Sequence, residues 1–119
     1  MKLLIAGSSD LLIDCDLVEQ AVKFFRLNVK EVVSGSGGNA DAAGEDWANI
    51  FLDKEPKTFP ANWRQEGAAA GSARNTSMIE YADALLLIWD GVSQDSVDMK
   101  HCMQELEKPV YEMILKTSL

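Results

Sequence analysis

Six consecutive apolar residues, Ala84-Leu85-Leu86-Leu87-Ile88-Trp89, place the strongest constraint on what this chain can fold into. The run stops at Asp90-Gly91 and is preceded by Ala82-Asp83, so it has the length of a strand and is bounded by polar turns. Successive side chains of a strand point to opposite faces of a sheet. A strand that is apolar at every position therefore has to be covered on both faces, which is the situation of a central strand in a parallel sheet. The remaining segments alternate strand-like and helix-like patterns, as a sheet with a helical layer on each side requires. The expected class is α/β, a three-layer parallel sheet of about five strands with helices on both faces.

In chain order, Lys2 to Ala6 reads as a buried strand running into Gly7-Ser8-Ser9-Asp10. Asp16 and Glu19 have the spacing of a helix N-cap and its return carboxylate, and Leu17, Val18, Ala21, Phe24 and Phe25 repeat on one helical face, with Asn28 as a helix end. A second strand lies near Lys30 to Ser34. The next helix carries Ala40, Ala43, Gly44, Trp47, Ala48 and Phe51 on one stripe and Glu45, Asp46, Asn49 and Asp53 on the other, and Pro56 ends that region. Lys57-Thr58-Phe59 is a short strand, Pro60 to Gly67 a loop, and Ala68 to Tyr81 a third helix. After the apolar run, a polar loop from Asp90 leads to a fourth helix over about Ser96 to Glu107, with Val97, Cys102, Met103 and Leu106 as inward positions. Lys108-Pro109 breaks that helix, and Val110 to Ile114 is a last strand.

A chain of 119 residues with 47% hydrophobic content has the size and core of one domain, spanning residues 1–119. No apolar run approaches the roughly 18 residues of a membrane helix, and the start of the chain turns polar too soon for a signal peptide, so no membrane partner and a cytoplasmic location are expected. The net charge of −8 opposes non-specific binding to nucleic acid, which needs lysines and arginines on phosphates. Two cysteines, Cys15 and Cys102, and one histidine, His101, are too few for a structural zinc site. No metal and no cofactor is implied.

The stretch Glu31-Val32-Val33-Ser34-Gly35-Ser36-Gly37-Gly38-Asn39-Ala40-Asp41 is a strand, a glycine-rich loop and a helix start. The first N–H groups of a helix have no internal partner and carry partial positive charge, so this geometry suits an anion, most often phosphate. It is neither a Walker A loop nor a G-x-G-x-x-G fingerprint, and a plain strand-to-helix turn is the competing reading. Ligands of open α/β sheets sit outside the carboxyl ends of the strands. Three segments of this chain end there: Gly7-Ser8, Ser34 to Gly38, and the loop with Asp90, Gly91, Ser93 and Ser96.

Beyond these loops, an ordered set of residues runs the length of the chain. Gly7-Ser8 is followed by Ser34-Gly35-Ser36-Gly37-Gly38-Asn39-Ala40-Asp41 with Trp47-Ala48 behind it, then Pro60-Ala61-Asn62-Trp63. Ala70-Gly71-Ser72-Ala73-Arg74-Asn75 with Met78 comes next, then Tyr81-Ala82-Asp83-Ala84 and Trp89-Asp90-Gly91. This set resembles the SLOG superfamily, in its small YspA/YpsA-related branch, from about residue 3 to residue 111. The resemblance implies a Rossmann-like fold that binds nucleotides or nucleotide-derived ligands. Relatives in that superfamily include the LOG phosphoribohydrolases, which cleave the N-glycosidic bond of a nucleoside monophosphate, the DprA proteins, which bind single-stranded DNA, and sensors of signalling nucleotides in bacterial and phage conflict systems. The chain departs from the family pattern in three places. Ser9 stands where the first loop has an arginine, Asp95-Ser96 where the loop after the fourth strand has Gly-Thr, and Met99, beside Asp98, where LOG enzymes carry a glutamate. The family arginine of the third helix is retained as Arg74.

The candidate ligand residues are Gly7, Ser8, Ser34, Gly35, Ser36, Gly37, Gly38, Trp63, Arg74, Asn75, Trp89, Asp90, Gly91, Ser93 and Ser96. Arg74 suits a bidentate phosphate clamp, or is a solvated helix arginine. Trp63 lines a pocket rim or packs over the sheet edge. Trp89 stacks on a base or fills the core, and Trp47 is structural. Asp90 is a general base, a holder of a ribose hydroxyl or a turn former. The expectation is a binding protein for a small nucleotide-derived ligand with no complete catalytic set. The alternative is an N-glycosidase acting on a nucleoside monophosphate, with Asp90 or Asp98 as the catalytic carboxylate and Arg74 on the phosphate. A homo-oligomer is expected by likeness to relatives, with a helix face around Tyr81 and Met103 as its surface.

Overall fold

The computed structural model describes residues 1–7, 11–35, 39–59 and 70–115. The apolar run is strand β4 (Ala84–Trp89), buried at every position, between β1 (Lys2–Gly7) and β5 (Val110–Ile114). β2 (Glu31–Ser34) pairs with the other side of β1, and β3 (Lys57–Thr58) closes that edge. The order is β3-β2-β1-β4-β5 and every pairing is parallel, with Leu3 opposite Val32 on one side and Ala84 on the other. The fold is therefore an α/β parallel sheet of Rossmann-like order.

Alternation along the strands divides the core into two layers. Leu3, Ile5, Val32, Leu86 and Ile88 cluster with Val18, Ala21, Ala40, Ala43 and Trp47, which come from α1 (Cys15–Phe24) and α2 (Asn39–Trp47). Leu4, Val33, Leu85, Leu87 and Trp89 cluster with Met78, Ile79 and Met103, which come from α3 (Ala70–Tyr81) and α4 (Gln94–Glu105). Each β4 residue thus meets a helical layer. Among the described residues no helix is long and apolar enough to cross a membrane.

The helix ends differ from the sequence expectation for local reasons. α1 starts at Cys15, with Asp14 rather than Asp16 as N-cap: Asp14 is extended and its Oδ1 accepts from Leu17 N at 2.9 Å. That frame buries Val18, Ala21 and Val22 and leaves Phe24 exposed, edge-on to Phe25, whose ring lies 5.3 Å from that of Tyr111. α1 ends before Asn28, because Arg26 takes a left-handed φ of 55° and the N–H groups of Arg26 and Leu27 return to Lys23 O and Val22 O. α2 runs into a π-helical turn, Ala48–Leu52, which rotates Phe51 off the buried stripe and stacks it on Trp47 at 5.9 Å.

α4 begins two residues earlier than expected, with Ser93 as its N-cap. Its buried face carries Ser96 and Met103, seven residues apart, whereas Cys102 and Leu106 fall on the exposed side. The surface suggested for an oligomer does not exist in the expected form. Met103 is wholly buried under the sheet, and Tyr81 is half-buried with its hydroxyl donating to Glu31.

Candidate functional site

From β1 the chain moves outward to β2 and β3, then returns to β4 on the other side of β1 and continues to β5. The strand order therefore reverses between β1 and β4, and ligands of such sheets bind outside the carboxyl ends of the strands at a reversal of this kind. Gly7 ends β1 at this point, in register with Ile88. A Cβ on Gly7 would lie 2.0 Å from Ile88 O, so only glycine lets the two backbones approach so closely.

At the end of β2, two side chains bond to Gly35 and a third orients one of them. Arg74 Nη1 donates to Gly35 O at 2.7 Å, and Arg74 Nε donates to Asn75 Oδ1 at 2.8 Å. Gly35 N donates to Asp41 Oδ1 at 3.2 Å. A Cβ on Gly35 would stand 2.7 Å from Arg74 Nη1 and 3.4 Å from Met78 Cε, so the guanidinium lies where a side chain would begin. Guanidinium has five N–H donors in a fixed plane, and these bonds use the Nε and Nη1 sides of it. The orientation is thus set by α3 and β2, while the two hydrogens on Nη2 take no part in it.

Ser34 is buried, and its hydroxyl donates to Glu45 Oε1 at 3.2 Å on the α2 side of the sheet. Asn39, the first residue of α2, donates from Nδ2 to Leu11 O at 2.7 Å and ties the helix start to the segment after β1. Asp41 and Glu45 were not among the site residues expected from sequence. The signal was present, because a carboxylate in the first turn of a helix commonly reaches back to an N–H just before it.

The loop after β4 forms a second group. Asp90 Oδ1 accepts from both Val92 N and Ser93 N at 2.9 Å, and Gly91 takes a φ of 89° between them. This is the turn-forming role of an Asp-Gly pair. Ser93 Oγ donates to Ser96 Oγ at 2.9 Å, and Ser96 is buried in the first turn of α4. Asp98 is exposed on α4 and accepts from Gln94 Nε2 at 2.8 Å. Asp95 is exposed in the first turn of the same helix. Trp89 packs in the core with Leu87 and Met103, and its Nε1 is buried with no hydrogen-bond partner among the described residues.

Gly35, Arg74 and Asn75 are therefore brought together at β2, and Asp90, Gly91, Ser93 and Ser96 at β4. Ser8, Ser36, Gly37, Gly38 and Trp63 lie outside the described residues. Among the described residues no group of three or more His, Cys, Asp or Glu side chains is placed to hold a metal ion. In comparisons with known proteins, no family model, no curated protein and no solved structure matches this chain.

Proposed function

We propose that this protein binds a small nucleotide or nucleotide-derived ligand at the carboxyl ends of β1, β2 and β4 and does not turn it over. The observation that carries the reading is Arg74, half-buried, fixed against Gly35 and Asn75 with its Nη2 edge uncommitted to either bond. A guanidinium held in one orientation is suited to a phosphoryl group, because little rotamer freedom is left to lose on binding. In sheets of this order ligands lie outside the carboxyl ends of the strands, the edge at which Gly35 follows β2. The binding role is preferred to hydrolysis because Asp90 Oδ1 is engaged by two turn amides and Asp98 faces outward on α4. General acid–base work needs a carboxylate within hydrogen-bond reach of the reacting group.

The test is a thermal-shift and tryptophan-fluorescence titration with nucleoside mono- and polyphosphates, dinucleotides and ADP-ribose derivatives. A ligand present at 100 times its dissociation constant adds about 2.7 kcal/mol of stability. Arg74→Ala is expected to weaken that ligand by about 1.5–3 kcal/mol, the range for a charge-assisted hydrogen bond. No response to any compound at millimolar concentration, or binding indifferent to Arg74→Ala, refutes the reading. Release of free base from a nucleoside monophosphate over hours would replace it with the N-glycosidase.

A further inference from the structure

Opposite charges hold the two ends of a single residue at the mouth of β2. Asp41 Oδ1 accepts from Gly35 N at 3.2 Å, and Arg74 Nη1 donates to Gly35 O at 2.7 Å. One turn along α2 from Asp41, Glu45 accepts from Ser34 Oγ at 3.2 Å. Two half-buried carboxylates and one guanidinium therefore surround Ser34-Gly35. The N–H that opens a glycine-rich loop is an ordinary donor to a phosphoryl oxygen, and here a carboxylate already takes it.

A phosphate monoester is close to a dianion above its second pKa of about 6. Beside Arg74 its first negative charge is compensated by the guanidinium, whereas its second adds to the negative charge that Asp41 and Glu45 already bring to Ser34-Gly35. A phosphodiester brings only the first. Like charges in a partly desolvated site discriminate between ligands as effectively as attractive contacts do.

Resting on the nucleotide reading above, we propose that Asp41 is a specificity-determining residue: it makes the site take a nucleotide through a monoanionic phosphodiester group and reject a terminal phosphate monoester. Gly35 is the spacer that allows this, since its missing side chain leaves room for Arg74 on the face opposite Glu45. Asp41→Asn keeps an oxygen for Gly35 N and removes only the charge.

The experiment is isothermal titration of the full chain at about pH 8, where the monoester is fully dianionic. The probes are the four common nucleoside 5′-monophosphates, each paired with its phosphate methyl ester, so that base and ribose are constant within a pair and only one charge changes. For any pair that binds, the methyl ester is expected to bind wild type about tenfold or more tightly than its parent, and Asp41→Asn is expected to bring the ratio near unity. Should Asp41→Asn fail to fold, Glu45→Gln carries the test, with the ratio falling in the same direction. A wild-type preference for the monoester, or a ratio that neither variant moves, overturns the proposal. If binding is then still lost in Arg74→Ala, the nucleotide reading survives and only the role of Asp41 falls. If no probe binds wild type or either variant, the role of Asp41 falls, and the thermal-shift panel above decides the nucleotide reading separately.

Discussion

Gly7 and Gly35 end neighbouring strands, yet different things occupy the space that a methyl group would need. At Gly7 it is the carbonyl oxygen of Ile88, 2.0 Å from the Cβ position, and a strand in the middle of a sheet cannot move aside. At Gly35 it is the end of the Arg74 side chain, 2.7 Å away, which can swing out. Gly7→Ala is therefore expected to cost about 3 kcal/mol or more of stability, the upper end for overpacking a core. Gly35→Ala is expected to cost no more than about 1 kcal/mol, but to lose the proposed nucleotide binding by displacing the guanidinium. Urea denaturation of both variants, with a ligand titration of the second, checks the pair. A large loss of stability in Gly35→Ala, or unimpaired binding, would show that Arg74 is not held in place by that gap. The presence of both glycines at strand ends was legible in the sequence. Which neighbour each one admits was not, because Ile88 and Arg74 are brought there by other elements.

The helices show how an element is finished by residues far from it. Lys108 follows α4, where Lys108-Pro109 reads simply as a helix breaker. Its Nζ donates to Ile79 O at 2.8 Å, Glu80 O at 3.0 Å and Ala82 O at 2.8 Å, all around the end of α3. Those carbonyls belong to the set that a helix leaves without internal partners, and a cation there also meets the negative end of the helix dipole. Lys108→Met keeps the stem and removes the donors, so a loss of about 1.5–3 kcal/mol is expected, the range for hydrogen bonds to a charged group. Lys108→Arg recovers only part of it, since a planar fork does not converge on three carbonyls as a tetrahedral ammonium does. Chemical denaturation decides this, and an unchanged midpoint in Lys108→Met would rule the cap out. The α4 register illustrates the same limit. Helical spacing alone fits Cys102 and Leu106 as well as it fits Ser96 and Met103; Met103 packs with Leu85, Leu87 and Trp89 of β4, and Ser96 is buried in the same register.

For the molecule as a whole, one contact couples the edge half of the sheet to the returning helix. Tyr81, at the end of α3, donates to Glu31, at the start of β2, across fifty positions of sequence. Lys54 lies 3.2 Å from the same carboxylate, and Lys2 Nζ sits 4.2 Å above the Tyr81 ring. The Tyr81 hydroxyl holds the Glu31 carboxyl below its ordinary 4.5, against the opposing effect of desolvation and with help from Lys54 and Lys2. Glu31 in turn raises the Tyr81 phenol above its ordinary 10.0, with desolvation acting in the same direction. A carboxyl lowered in the folded state contributes stability above 4.5 that is lost as the pH falls through its folded value. A phenol raised in the folded state contributes stability below 10.0 that is lost as the pH rises through its folded value. Urea midpoints measured from about pH 3 to about pH 11 are expected to fall off less steeply at both ends in Tyr81→Phe than in wild type. Parallel profiles would mean that the pair does not couple folding to pH.

The layered α/β class followed from the sequence because a strand that is apolar at every position, Ala84 to Trp89, has only one kind of environment open to it. The bounds of β4 and β5 and the small-residue stripe of Ala40, Ala43 and Gly44 are likewise local matters of periodicity and backbone freedom, and sequence expresses them directly, whereas it left Asp90 open between a catalytic, a ligand-holding and a turn-forming role. Strand order is not local. Only the folded sheet puts β4 beside β1, and so sets Gly7 directly against the backbone of Ile88. The meeting of Arg74 with Gly35, 39 positions apart, and the carboxylate of Asp41 on the loop's first N–H were also decided there. Hydrogen-bond donors and charges have no periodicity to announce their partners. Their pairing depends on which elements the tertiary structure places side by side.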